Sequence, residues 1–426
     1  MQICVVGAGY VGLTTATALA DFGHEVVCID KDQTKIDSLN KGKIPIYEPG
    51  LQKLIAKNVQ FNRLFFSSLV EESIGNNPII LIAVGTPPRE DGSSNLEYLS
   101  QVVQNIASTI KDYKIIITKS TVPPGTNEWI HQTLLDMGIK KDLFDIVSNP
   151  EFLREGTALW DIYHPNKIVF GTKSNRPINI LKKLYETGKA PLIFTSLTGA
   201  ELIKYASNAF LATKISFSNE IARICDAYKV NYADIAKGLG TDPRIGRHFL
   251  NAGLGFGGSC LPKDISSLKH SALAKNVETK LLDAVIDIND TQSKAYLNKL
   301  GTVLPDLENK QITVWGVTFK PGTDDLRFSP SVNLIKQLVQ KGCLVHAYDP
   351  MVQLELAGIS SFADKYESVN NSNALIIATE WKQFDKSNWS EIKSRMKEPI
   401  ILDARNCLNS KTLKKRGFIY LGIGKR

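Results

Sequence analysis

Cys260 lies in the stretch GFGGSCLPKD, residues 255–264, three positions before Lys263 and four before Asp264. The thiolate is the reactive form of a cysteine, and a neighbouring cation stabilises it. Gly257 and Gly258 remove side-chain bulk, which opens a path for a substrate to the sulfur. By residue type alone Cys260 is equally a small buried hydrophobe in a tight turn, the reading that suits Cys4, Cys28 and Cys225. Lys204 and Asn208, in LIKYASNA, stand four apart and share one helix face. Their apolar neighbours imply a lysine with little water around it, which is costly unless the charge is paired or used. Glu151 and Glu155, in NPEFLREG, also share a face if that segment is a helical turn. Lining a cleft, their repulsion would raise one carboxyl pKa toward a range useful for acid–base work; as two exposed helix glutamates they would do nothing.

A second constellation suits a dinucleotide. GAGYVG, residues 7–12, fits G-x-G-x-x-G. Gly7 permits the tight turn, Gly9 lets backbone approach a pyrophosphate, and Gly12 allows helix to pack on strand, with the phosphates at a helix N-terminus. Asp30 closes the next apolar run 18 residues after Gly12, where it would accept hydrogen bonds from a ribose and repel a 2′-phosphate, favouring NAD over NADP. Lys35 either helps hold that ribose or is a solvated helix lysine. Thr86 in GTPP and Thr121 in STVPPGT each follow an apolar strand and would face the cofactor crevice, unless they are simply turn threonines. Lys320 and Arg327 flank a glycine turn in VTFKPGTDDLRFSP and would suit phosphate oxygens, although basic loop residues are usually only solvated.

Parallel sheets position such residues at the carboxyl ends of strands. QICVV, HEVVCI, PIILIAV, KIIITK and FDIVS read as strands separated by helical patterns such as LEYLSQVVQNIASTI, which predicts a doubly wound parallel sheet. From about Thr198 a long segment contains no proline, and no glycine after Gly199, so one long helix is expected to join two domains. The βα alternation resumes at KQITVWGVTF, CLVHAYDP, NALIIATEW and PIILDARN. The expected plan is α/β: two Rossmann-like domains, at 1–197 and 301–426, joined by a helical region at 198–300 that holds the cysteine.

The composition excludes several classes. A chain of 426 residues exceeds a single core, and 43% hydrophobic with 22% charged residues is ordinary for a globular protein. No run approaches the roughly 18 apolar residues of a membrane helix. MQICVVGAG opens directly on a strand, so a cytoplasmic protein without a targeting peptide is expected. The six cysteines form no C-x-x-C pair and the six histidines show no ligand spacing, which argues against zinc and disulfides. The net charge of +8 is spread among acids, and the densest cluster, KTLKKRG, reads as a solvated helix face, so no nucleic-acid partner is expected.

Taken together, GAGYVG, STVP, NPEFLREG, LIKYASNAF, DPRIG, FLNAGLGFGGSCLPKD and TFKPGTDDLR resemble the UDP-glucose/UDP-mannuronate dehydrogenase family, in family order over nearly the whole chain. The resemblance implies a four-electron oxidation of UDP-glucose at C6 with two NAD+, in which Cys260 traps an aldehyde as a thiohemiacetal and then carries a thioester. It implies that Lys204 stabilises the oxyanion, that Asp264 orients water or takes a proton, that Asn208 adds a hydrogen bond, and that Glu151 serves hydrolysis as base or acid, with Thr121 beside this catalytic set. For NAD it implies Tyr10, Val11, Asp30, Lys35, Thr86, Thr121, Glu155, Lys263 and Arg327 along with the glycine turn. For the nucleotide sugar it implies Glu151, Phe152, Leu153, Arg154, Glu155, Lys204, Asn208, the loop Phe249, Leu250, Asn251, Ala252 and Gly253, then Gly257 and Lys320. Arg244 is expected to reach the substrate of a neighbouring subunit in a homodimer or higher homo-oligomer. Phe328 stands where the family pattern expects a polar residue. Two other functions compete: a UDP-N-acetylhexosamine 6-dehydrogenase sharing fold and cysteine, and a non-catalytic nucleotide-sugar or NAD sensor, which would not need the set Glu151, Lys204, Asn208, Cys260 and Asp264.

Overall fold

The computed structural model describes residues 1–185 and 190–425. They fall into two compact units, Met1–Ser207 with Ser266–Val277, and Asn208–Ile265 with Glu278–Arg426. In the first unit, strands β1 (Gln2–Val6), β2 (Glu25–Ile29), β3 (Leu64–Ser67), β4 (Ile79–Ile82), β5 (Lys114–Thr118), β6 (Phe144–Ser148), β7 (Ile168–Thr172) and β8 (Leu192–Thr195) form one sheet in the order 3-2-1-4-5-6-7-8. Its central strands β4, β5 and β6 are short runs buried on both faces, as parallel sheets require, while the edge strands β3 and β8 are partly exposed. Alternate side chains serve opposite cores: Ile3 and Val5 of β1 join Ile79 and Leu81 of β4 on one face, while Cys4 and Val6 join Ile80 and Ile82 on the other. β6 and β7 pair antiparallel, so the last two strands run against the rest. The five strands read from the sequence, β1, β2, β4, β5 and β6, pair in parallel as expected; β7 and β8 are not among them.

The second unit holds β9 (Gln311–Trp315), β10 (Leu344–Tyr348), β11 (Ile359–Phe362), β12 (Ala374–Ile377), β13 (Ile400–Asp403) and β14 (Ile419–Leu421), in the order 11-10-9-12-13-14. All five pairings are parallel. The strand order thus repeats the 3-2-1-4-5-6 core of the first sheet, with the reversal between β9 and β12 matching that between β1 and β4. The repeat extends to atoms. The N–H groups of Gly7 and Gly316 donate to the carbonyls that end β2 and β10, at 2.7 and 2.8 Å. Asp30 then accepts the Ala8 N–H at 3.0 Å, and Asp349 accepts the Val317 N–H at 2.9 Å.

The long helix spans Leu197–Ala227. It ends where Lys229 turns left-handed at φ 57°, and the Val230 N–H closes on the Cys225 carbonyl at 2.8 Å, a backbone cap that consumes a terminal carbonyl. No helix among the described residues is long and apolar enough to cross a membrane.

Candidate active site

The glycine turn after β1 is built to receive an anion. Gly7 sits at φ 106°, and a Cβ there would lie 2.8 Å from the Ala83 carbonyl oxygen. A Cβ on Gly12 would lie 1.7 Å from the Gly7 oxygen, so helix and turn pack as only glycine permits. Gly9 is different: a Cβ there meets nothing within 4 Å, which leaves open space beside the backbone of the turn. The helix Tyr10–Asp21 starts at Gly9 with no side-chain cap and no acid in its first turn, so its first N–H groups and dipole favour a phosphate. Asp30 accepts the N–H groups of Ala8 and Asp32 at 3.0 and 3.1 Å and the Lys35 ammonium at 2.8 Å. It braces the turn and presents its charge beside it. The residues present therefore fit a dinucleotide such as NAD.

The corresponding turn after β9 is closed. Thr318 stands in the place of Gly9, and Ser329 caps the helix Pro330–Gln340 by accepting the Val332 N–H while its own hydroxyl donates to the Val317 carbonyl. A side-chain cap and a proline at its head leave this helix start fewer free N–H groups for a pyrophosphate than the uncapped start after β1.

Neighbouring loops reinforce the first turn. Tyr10 donates through its hydroxyl to Glu48, and both accept the Gly156 N–H, at 3.0 and 2.8 Å. Thr86 is buried, and its hydroxyl donates to the Thr121 carbonyl at 2.8 Å, tying the two predicted threonine loops together.

The segment after β6 corrects one expectation. Residues 151–154 are irregular, with a turn at Glu155 and Gly156, so Glu151 and Glu155 do not share a helix face. Glu151 instead pairs with Lys204 at 3.0 Å, with side chains only 7% and 4% exposed. Burial pushes the Glu151 carboxyl up, but the Lys204 ammonium, the Leu153 N–H and Lys119 together hold it below the ordinary carboxylate range. It is an anion at neutral pH, the reverse of a carboxyl raised by repulsion. Phe152 lies beneath two cations, with Lys167 and Lys204 at 4.4 and 5.4 Å from its ring centroid. Arg154 is exposed and pairs with Asp161 at 2.6 Å.

In the second unit Cys260 and Cys407 are exposed, whereas Cys4, Cys28, Cys225 and Cys343 are buried; desolvation and the Asp403 carboxylate push the Cys407 thiol up. Burial pushes the Cys4 thiol up to about 12 and makes it inert. Cys260 directly precedes the helix Leu261–Leu273, whose starting N–H groups favour an anion. Its loop is jammed into place: a Cβ on Gly257 would lie 2.2 Å from the Phe328 oxygen, and one on Gly258 2.6 Å from the Phe319 ring. The Gly258 N–H donates to the Arg327 carbonyl at 3.0 Å. Asp264, only 1% exposed, accepts Asn208 Nδ2 at 2.6 Å on one oxygen and Lys263 Nζ at 2.6 Å on the other. The predicted Lys263 charge is thus shared with Asp264.

The FLNAG loop is held by its backbone. Phe249 adopts φ 62°, Leu250 accepts the Tyr232 hydroxyl at 2.8 Å, and Gly253 is gripped by Asn219 and Gln292 at 2.8 and 2.7 Å. Asn251 is exposed and Ala252 buried. Lys320 lies over the Phe319 ring at 5.5 Å, Arg327 pairs with Asp325 at 2.7 Å, and the exposed Arg244 pairs with Asp242 at 2.6 Å. Phe328 is exposed in the left-handed region at φ 49°.

Sequence reasoning missed Arg405. It donates to Ala378, Gly255 and Phe319 carbonyls at 2.7, 3.2 and 3.4 Å, joining the cysteine loop to the TFKPG loop. Lys119 was missed as well: it is buried and donates to Asn149 and Tyr185 at 3.2 and 3.1 Å. A lysine ending the apolar run KIIITK was the available hint.

A dinucleotide turn with a bracing aspartate, in a chain that also carries an exposed thiol at a helix start, defines an NAD-binding oxidoreductase. Residues 1–189, 198–291 and 313–410 match the NAD binding, central and UDP binding domains of the UDP-glucose/GDP-mannose dehydrogenase family. The chain belongs to that family. It is 49% identical over its full length, and that of the relative, to YtcA of Bacillus subtilis (strain 168), whose name gives UDP-glucose 6-dehydrogenase provisionally. A UDP-glucose dehydrogenase from the hyperthermophilic archaeon Pyrobaculum islandicum has a similar structure, with TM-score 0.93 and 33% identity over 100% of this chain and 98% of that one. A UDP-D-ManNAc dehydrogenase from Pyrococcus horikoshii gives 0.90 and 29%, over 100% and 99%.

Proposed function

We propose that the protein oxidises UDP-glucose at C6 to UDP-glucuronate in two steps, with two NAD+ as acceptors, and that Cys260 holds the sugar between them. The observation that carries this reading is Cys260 itself: exposed, at a helix start, on a loop fixed by glycine contacts, with buried Asp264 one helical turn on and bonded to Asn208. When bound, NAD+ accepts a hydride from the sugar carbon. The C6 alcohol loses a hydride and a proton to become an aldehyde, and the Cys260 thiolate adds to that carbon to give a thiohemiacetal. Loss of a second hydride and proton leaves a thioester, which water cleaves to the carboxylate and regenerated thiol.

Lys204 offers its ammonium to the oxygen that gains charge at each stage. Because Lys204 also holds Glu151 anionic, any charge it shares with the substrate returns basicity to Glu151. This supports Glu151 as the base that takes a proton from water in the hydrolytic step rather than as an acid. Asn208 and Lys263 hold Asp264 in one orientation, which suits it to position that water.

Purified protein with UDP-glucose and NAD+ is expected to yield about two NADH per sugar consumed. One NADH per sugar would contradict the covalent scheme. The likeness to the UDP-D-ManNAc dehydrogenase supports a second reading, a UDP-N-acetylhexosamine 6-dehydrogenase, and turnover only with an acetylated sugar would select it.

We also propose a homodimer. Phe210, Phe217 and Ile224 are exposed along the long helix at seven-residue spacing, an apolar stripe of the kind that covers itself with a second copy. Sedimentation should show a dimer, with activity lost on dilution to the monomer; a fully active monomer would refute it.

A further inference from the structure

Glu201 belongs to none of the sets above, yet it is among the most buried carboxylates, at 2% exposure. One of its oxygens accepts the Gly125 N–H at 2.5 Å, and the other accepts both the Asn127 N–H and Asn127 Nδ2 at 2.7 Å. These donors open the helix Thr126–Asp136, whose N-cap, Gly125, has no side chain with which to cap it. Helices are normally capped by a residue at the cap position itself. Here the acceptor comes from the long helix, 76 residues away.

An anion at a helix start is favourable, but burial without a cation remains costly. Burial pushes the Glu201 carboxyl up to about 6, Glu128 adds to that, and the three donors only partly oppose it. Glu128 is itself paired with Lys173. A local serine would cap the same helix more cheaply, which points to what the distant anchor connects.

The anchored segment is the STVPPGT loop. Its other side is fastened to the loop after β4, through the Ser120 hydroxyl on the Val84 carbonyl at 2.6 Å and the Thr86 hydroxyl on the Thr121 carbonyl at 2.8 Å. Glu201 lies three residues before Lys204 on the same helix. One turn of that helix therefore grips two loops: STVPPGT through Glu201, and NPEFL through the Lys204–Glu151 pair.

We propose that Glu201 is a positioning residue that sets the Thr121 loop for dinucleotide binding and keeps it in register with Lys204. This rests on the reading of Thr121 as a cofactor contact. Glu201→Gln preserves shape but turns an N–H2 group toward the N–H of Gly125 or Asn127. In the full-length protein, NADH titration followed by fluorescence should show Kd raised about tenfold, the scale of one lost hydrogen bond to a charged group. Asn127→Ala, a milder change, should raise it by about threefold, and the double variant should be no weaker than Glu201→Gln alone, since both act through one contact. If Glu201→Gln or Asn127→Ala binds NADH as wild type does while only thermal unfolding shifts, Glu201 is a helix cap and the proposal fails. Wild-type protein that binds no NADH would overturn the cofactor reading, and this role with it.

Discussion

Cys260→Ser is expected to keep both ligands bound and to lose steady turnover by at least about a thousandfold, the scale set by replacing a thiolate with a weakly acidic hydroxyl as nucleophile. Binding is expected to persist because Gly257 and Gly258 are packed closely against the Phe328 carbonyl and the Phe319 ring, and serine keeps the size of the side chain. The first hydride transfer does not require the cysteine, so mixing the variant with UDP-glucose and NAD+ should give a burst near one NADH per site, followed by a stall. Rapid-mixing absorbance at the NADH band checks this. Unchanged turnover would return Cys260 to the class of structural thiols and remove the support for a covalent intermediate.

Lys204→Met should have the second largest effect, and it acts on stability as well as chemistry. The pair it breaks is buried on both sides, and removing one partner of such a pair costs about 3–5 kcal/mol because the other charge is stranded. Glu151 is held below the ordinary carboxylate value of 4.5 in the intact protein. Its contribution to stability is therefore present above that value and lost as pH falls. Without Lys204 only the Leu153 N–H and Lys119 oppose burial, the largest influence on this carboxyl, so its pKa is expected to rise and the contribution to reverse, becoming largest at low pH and lost as pH rises. Denaturant unfolding across a pH series reads this inversion directly. Adding Glu151→Gln should recover stability, since no bare charge remains, but not turnover. A single variant with unaltered unfolding at neutral pH would show that the pair contributes nothing.

The parts legible in the sequence were those whose physics is local. GAGYVG followed by a strand ending beside Asp30 describes one turn and its brace, and the absence of breakers after Gly199 describes one helix. Glu151 was misread because spacing of four implies a shared face only where the backbone is helical, and NPEFL is not. Its partner, Lys204, lies 53 residues away. The other gaps are of the same kind: Arg405 reaches Gly255 across 150 residues, and Glu48 reaches Gly156 across 108. No periodicity records such contacts. The likeness between the two sheets was visible in plan only, because matching bonds at Asp30 and Asp349 are made by residues whose neighbours differ, with Thr318 in the place of Gly9.

In the proposed reaction the sugar is carried on Cys260 between two oxidations. Acid-quenching the protein during turnover with UDP-glucose and NAD+, then measuring the mass of the peptide that contains Cys260, tests it directly. A fraction of that peptide is expected to be heavier by one glucuronyl-nucleotide acyl group, absent in Cys260→Ser. Two NADH per sugar with an unmodified peptide throughout, and an aldehyde that an added hydrazine can capture from solution, would contradict it.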